Sequence, residues 1–125
     1  MTSLTSRVHI FAQPNTKTRL ADFFTDVLGC QALSLEVPGS PYPILVFTFA
    51  NGASLSVEFT RDAPDERQVN RGAWLELAAD DQERLKQKIG EAGLARVTYL
   101  GGEDFYFVAP GGQVMRIVST GDVVG

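Results

Sequence analysis

The chain has 125 residues, 44% of them hydrophobic and 21% charged, which bounds it to one soluble globular domain able to bury a core without disulfides. A net charge of -4 and a pI near 4.9, with basic residues scattered among acids, argue against nucleic acid as a partner. A single cysteine, Cys30, excludes an intrachain disulfide and a cysteine-based zinc cluster. The start, "MTSLTSRVHI", has no long apolar core of a signal peptide, and no apolar run approaches the roughly 20 residues of a membrane span. The expectation is a cytoplasmic protein without membrane contact.

"RVHIF", residues 7–11, alternates polar and apolar residues and predicts a first strand carrying the only histidine, His9. "NTKTRLADFFTDVLGC" then places Leu20, Phe23, Phe24, Val27 and Leu28 on one helix face, with Asn15 or Thr16 as cap and Gly29 as the left-handed stop. Strands are predicted over 32–37, 44–49 and 54–60, separated by the turn signals "PGSPYP" and "ANG". Residues 61–71 are polar and turn-rich and read as a linker.

The pattern then restarts. "AWLELAA" reads as a strand. "DDQERLKQKIGEAG" reads as a helix, with Asp80 as N-cap, Glu83 at the capping-box spacing, Leu85, Ile89 and Ala92 as its buried stripe, and Gly93 as its stop. Strands are predicted over 95–100, 105–108 and 113–119, with "GGED" and "APGG" as turns. Each half is therefore strand–helix–strand–strand–strand. A single domain is expected, built from modules 7–60 and 72–119. The fold class is α+β: two tandem βαβββ modules whose helices cover one side of a curved, cavity-enclosing mixed sheet.

On "HIFAQPNTKTRLADFFTDVLG", "LSVEFT", "WLELAADDQERLKQKIGEAG" and "FYFVAPGGQVMRIV", the chain resembles the vicinal oxygen chelate superfamily, over roughly residues 7–119. That superfamily includes glyoxalase I, extradiol dioxygenases, and fosfomycin- and bleomycin-resistance proteins. The resemblance implies a glyoxalase-like fold, a homodimer with two equivalent clefts, and metal ligands on the first and last strand of each half. Those positions correspond here to His9, Glu58, Trp74 and Arg116. Imidazole and carboxylate suit a divalent metal. Indole and guanidinium have no lone pair to offer. Glu76, two residues after Trp74 and on the same strand face, would be needed to complete a set of His9, Glu58 and Glu76.

Each residue carries a plain reading beside the functional one. His9 is by default a neutral strand histidine, hydrogen-bonded in a half-polar cavity, and otherwise a ligand-contacting or proton-transferring group. Glu58 shares a face with Ser56, opposite Val57 and Phe59, and needs a partner if that face is the cavity. Arg116 is the candidate partner, standing in for the metal's charge and pairing also with Glu76. Its alternative is an outer, solvated face. Trp74 is either core or a flat stacking wall. Phe11 shares the face of His9. Phe105 and Phe107 lie opposite Tyr106, and one of those sets should line the cleft. Cys30 reads as a small buried residue. No Ser-His-Asp arrangement can be assembled, and "GGED" lacks the context of a phosphate loop.

Three functions remain open. One is binding of a small molecule, without metal or other cofactor, in an aromatic, partly charged cleft formed by His9, Phe11, Glu58, Trp74, Glu76, Phe105, Phe107 and Arg116. The second is a metal-dependent glyoxalase- or dioxygenase-type enzyme using His9 and Glu58. The third is a non-catalytic scaffold with a filled cavity.

Overall fold

A computed structural model describes residues 1–69, 71–99, 102 and 104–122. The chain separates into two compact units, Met1–Asp65 and Glu66–Gly125. Each holds one four-stranded mixed sheet, and the two strand orders correspond.

Unit 1 contains β1 (Arg7–Ala12), β2 (Gln31–Leu35), β3 (Ile44–Thr48) and β4 (Ser54–Phe59), in the order β1-β4-β3-β2. The β1–β4 pair is parallel and the others antiparallel. In β4, Leu55, Val57 and Phe59 are buried and alternate with half-buried Ser54, Ser56 and Glu58. This is the period-2 signature of a sheet covered on one face.

The cover is a helical stretch that changes pitch. A 3-10 turn (Pro14–Thr16) opens it, where the missing N–H of Pro14 costs nothing. Then come α1 (Lys17–Asp22) and a π turn (Phe23–Val27), in which Leu28 N–H donates to Phe23 C=O at 3.1 Å. Leu20, Phe23 and Phe24 are buried, but Val27 and Leu28 are only half-buried. The wide turn swings the last two residues off the expected stripe. Neither Asn15 nor Thr16 caps the helix with its side chain; the Thr16 hydroxyl instead donates to Gln13 C=O at 2.7 Å. Gly29, at φ 74°, lets the chain turn back into β2. The core centres on Phe24, stacked on Phe47 with ring centroids 4.8 Å apart.

Unit 2 contains β5 (Leu75–Ala79), α2 (Gln82–Glu91), β6 (Arg96–Val97), β7 (Phe105–Val108) and β8 (Val114–Ser119), ordered β5-β8-β7-β6 with β5 and β8 parallel. The N-cap of α2 is Asp81, not Asp80: its carboxylate accepts from Arg84 N–H at 3.1 Å. Asp80 instead accepts from the Thr120 hydroxyl at 3.0 Å, which ties it to the end of β8. Two adjacent aspartates satisfy the cap pattern equally well in sequence, and this tertiary bond takes one of them. Ile89 is buried, Leu85 half-buried and Ala92 exposed, so the stripe is shorter than expected. With Phe107, Met115 and Ile117, Ile89 makes the buried core of this unit. Leu100, at the end of the strand expected over 95–100, lies outside the described residues.

The stretch expected as a linker is shared out. Gln13 Nε2 donates to the carbonyls of Arg61 and Ala63, holding residues 61–63 on unit 1. Glu66 accepts from Gly111 N–H at 3.2 Å within unit 2. The neighbouring Gly112, at φ 100°, is required on two grounds: its backbone is left-handed, and an added Cβ would come within 2.7 Å of the Glu66 Cα.

Candidate functional site

Parallel pairing of β1 with β4 sets His9 across from Ser56 and Phe11 across from Glu58, so four side chains share one open sheet face. The His9 ring bridges β4. Its Nε2 lies 3.0 Å from Glu58 Oε1 and its Nδ1 lies 2.7 Å from Ser56 Oγ. A carboxylate only accepts, so Nε2 carries a proton, and in that neutral tautomer Nδ1 offers its lone pair to the Ser56 hydroxyl. Phe11 meets the imidazole edge-on at 5.2 Å. His9 and Glu58 are 38% and 45% exposed, so the array is reachable from solvent.

In unit 2 the equivalent face is built differently. Glu76 lies across from Arg116, and Tyr106 flanks Arg116 from β7. Arg116 donates through Nη1 to Glu76 at 3.0 Å and through Nη2 to Asp104 at 3.1 Å, with Tyr106 5.9 Å from its centre. The Asp104 hydrogen bond, aided by the charges around it, holds the guanidinium above its ordinary pKa. Two carboxylates facing one cation leave a negative charge in excess. Arg116 Nε is shut off from solvent, with no hydrogen-bond partner among the described residues, a cost offset by the two charge-assisted bonds. Trp74, just before β5, packs on Tyr99 at 5.7 Å and on Tyr106 at 5.2 Å, and is still 45% exposed. Beside it an open cavity of about 400 Å³ is lined by Val69, Arg71, Gly72, Ala73, Trp74 and Tyr99.

The structure thus places His9, Phe11 and Glu58 together in unit 1, and Trp74, Glu76 and Arg116 together in unit 2. Glu58 is met by His9, and Arg116 by Glu76 and Asp104. The aromatic pair Phe105 and Phe107 is a correction. Phe107 is fully buried, and Phe105 lies under Arg96 at 3.9 Å and near Lys86 of α2 at 5.6 Å, on the helix side of the sheet. Tyr106 is the β7 residue on the face of Glu76 and Arg116. Three more residues belong to these clusters. Asp104 was absorbed into the turn "GGED", and Tyr99 into a strand. Ser56 was placed beside Glu58 but given no role. It completes a Ser–His–carboxylate array that could not be assembled from the sequence, although its spacing of two from Glu58 was the available signal.

Cys30 is buried as expected, and burial pushes its thiol up to about 11.

A resident divalent metal does not fit these residues. Unit 1 supplies one imidazole and one carboxylate, already bonded to each other. In unit 2 the corresponding positions are Trp74 and Arg116, and Glu76 is engaged by Arg116. Among the described residues no group of three or more His, Cys, Asp or Glu is arranged to hold a metal ion, whereas catalytic sites bring about three protein ligands.

No protein-family model matches the sequence, and no curated protein matches it. Solved structures do. A possible glyoxalase from Bacillus cereus superposes with a TM-score of 0.68 at 13% identity, covering 94% of this chain and 99% of that one. Glyoxalase I of Leishmania major gives 0.73 at 13% identity, covering 94% and 87%. TnmS3, an antibiotic-binding protein from Streptomyces sp. CB03234, gives 0.64 at 19% identity, covering 94% and 96%. The likeness is one of fold: the chain has the fold of these glyoxalase-like structures.

Proposed function

We propose that the protein binds a small molecule against the aromatic, charged face of unit 2, without a metal. One observation carries this reading: where metal ligands would stand in that unit there are Trp74 and Arg116, the arginine clamped by Glu76 and Asp104. An exposed indole beside a cavity of about 400 Å³ suits a flat aromatic ligand, and that volume is of the size small-molecule sites take. The role is comparable to that of the antibiotic-binding TnmS3 rather than to glyoxalase chemistry. Trp74→Ala should weaken binding of a ligand found by thermal-shift screening by about 1–3 kcal/mol, with an unchanged circular dichroism spectrum. Unchanged affinity would move the site elsewhere, and a screen without hits would favour a scaffold.

We also propose a cytoplasmic homodimer. Sedimentation velocity tests the dimer: a mass of two chains supports it and a mass of one chain contradicts it.

A further inference from the structure

We infer that Ser56, His9 and Glu58 form a nucleophile, base and orienting carboxylate that accept the acyl group of an activated aryl ester. The inference rests on unit 1 alone and is independent of the ligand-binding reading for unit 2. Three observations support it. Ser56 Oγ lies 2.7 Å from His9 Nδ1, while its other acceptor, Val8 C=O, is at 3.5 Å, too long to hold the hydroxyl proton. Glu58 takes Nε2–H, which fixes the tautomer that leaves Nδ1 free to accept. All three groups stand on an open face. The roles are those of a serine-hydrolase triad, with the two ring nitrogens exchanged.

The step balances without a cofactor. Ser56 Oγ bonds to the acyl carbon as its proton passes to His9 Nδ1, and the imidazolium keeps its Nε2–H bond to Glu58. The acyl–oxygen bond of the ester breaks, and the phenol leaves with the proton from Nδ1. Water, deprotonated by the same nitrogen, then attacks the Ser56 ester. It releases the carboxylic acid and restores the hydroxyl.

The surroundings define the substrate class. Ser56 sits mid-strand, paired to β1 on one side and β3 on the other, so the backbone N–H groups around it are committed to the ladder. Among the described residues no oxyanion hole is built there, and such a donor is worth about 10²–10³ in rate. Only an ester with a good leaving group reacts well under that handicap. Phe11, Val46 and Leu33 lie on the same face and offer apolar ground for an aryl group.

The test is p-nitrophenyl acetate with the full-length protein. The expected result is a burst of about one p-nitrophenolate per chain, with the acetyl group mapped to Ser56 by peptide mass spectrometry after acid quench. Ser56→Ala should abolish the burst. His9→Gln should slow it about 10²-fold. Glu58 is a positioning residue: Glu58→Ala should slow acetylation, and Glu58→Gln, which still accepts from Nε2–H, should recover part of the rate. Ser56→Cys guards against a folding defect, because it should acquire a hydroxylamine-labile acetyl at the same position. Acetyl found only on lysines or the N-terminus, or an undiminished burst in Ser56→Ala, would overturn the proposal. A burst that survives Ser56→Ala but is lost in His9→Gln would make the imidazole the nucleophile and overturn the role of Ser56.

Discussion

In unit 1 the first strand sets His9 and Phe11 against Ser56 and Glu58 of the last. In unit 2 the same strand order sets Trp74 and Glu76 on the first strand side and Arg116 on the last, with Glu76 and Arg116 directly paired. The backbone frame is repeated and the chemistry is exchanged. A hydrogen-bonded array with an apolar neighbour stands in one unit. An ion-pair cluster with aromatic cover stands in the other. The difference shows why a fold of this kind constrains function weakly: parallel pairing fixes which positions meet, and side-chain identity alone decides whether they make a base, a binding wall or a ligand set.

The comparison can be broken most severely through the cores beneath the two faces. Phe47→Ala removes the partner stacked on Phe24 at 4.8 Å and should cost about 3–5 kcal/mol, measured by urea denaturation. A loss below about 1 kcal/mol would contradict the view that this stack anchors unit 1.

Cys30 sharpens the contrast between buried and reachable groups. Its folded thiol sits near 11 against an ordinary 9.0, so the folded state holds its proton more tightly than the unfolded state. Stability should therefore fall as pH rises from about 9 towards 11, and this fall should disappear in Cys30→Ala. Iodoacetamide at pH 8 should modify the folded thiol far more slowly than the urea-unfolded one. Equal rates would place Cys30 at the surface.

The smallest expected effect is at the His9–Glu58 pair. Both side chains are more than a third exposed, so a double-mutant cycle with His9→Gln and Glu58→Gln should give a coupling of about 0.2–1 kcal/mol. A larger coupling would make the pair structural and weaken the case for it as working chemistry.

Much of this was legible in the sequence. Alternation in "SLSVEF" put Glu58 and Ser56 on one face, and the spacing of two put Trp74 and Glu76 together. The glycine stops at Gly29 and Gly93 mark real helix ends, at φ 74° and 73°. Period 2 reports faces but not which face is which, so it does not decide between Tyr106 and the pair Phe105 and Phe107. It does not report register either, and the contact of Ser56 with His9 depends on register between strands separated by more than forty residues. Asp104 was hidden for another reason. A turn acid carries no periodic signal, and its role appears only once Arg116 reaches it. The pitch change after Asp22 is likewise invisible to a 3.6-residue pattern, which the five apolar residues of that stretch fit equally well.

The most direct test of metal-free binding is the elemental composition of protein purified without a histidine tag, followed by titration with nickel, zinc, manganese and iron(II). The account predicts substoichiometric metal and no thermal shift on adding any of the four. Near-stoichiometric metal that is lost in His9→Ala would contradict it and make His9 and Glu58 ligands.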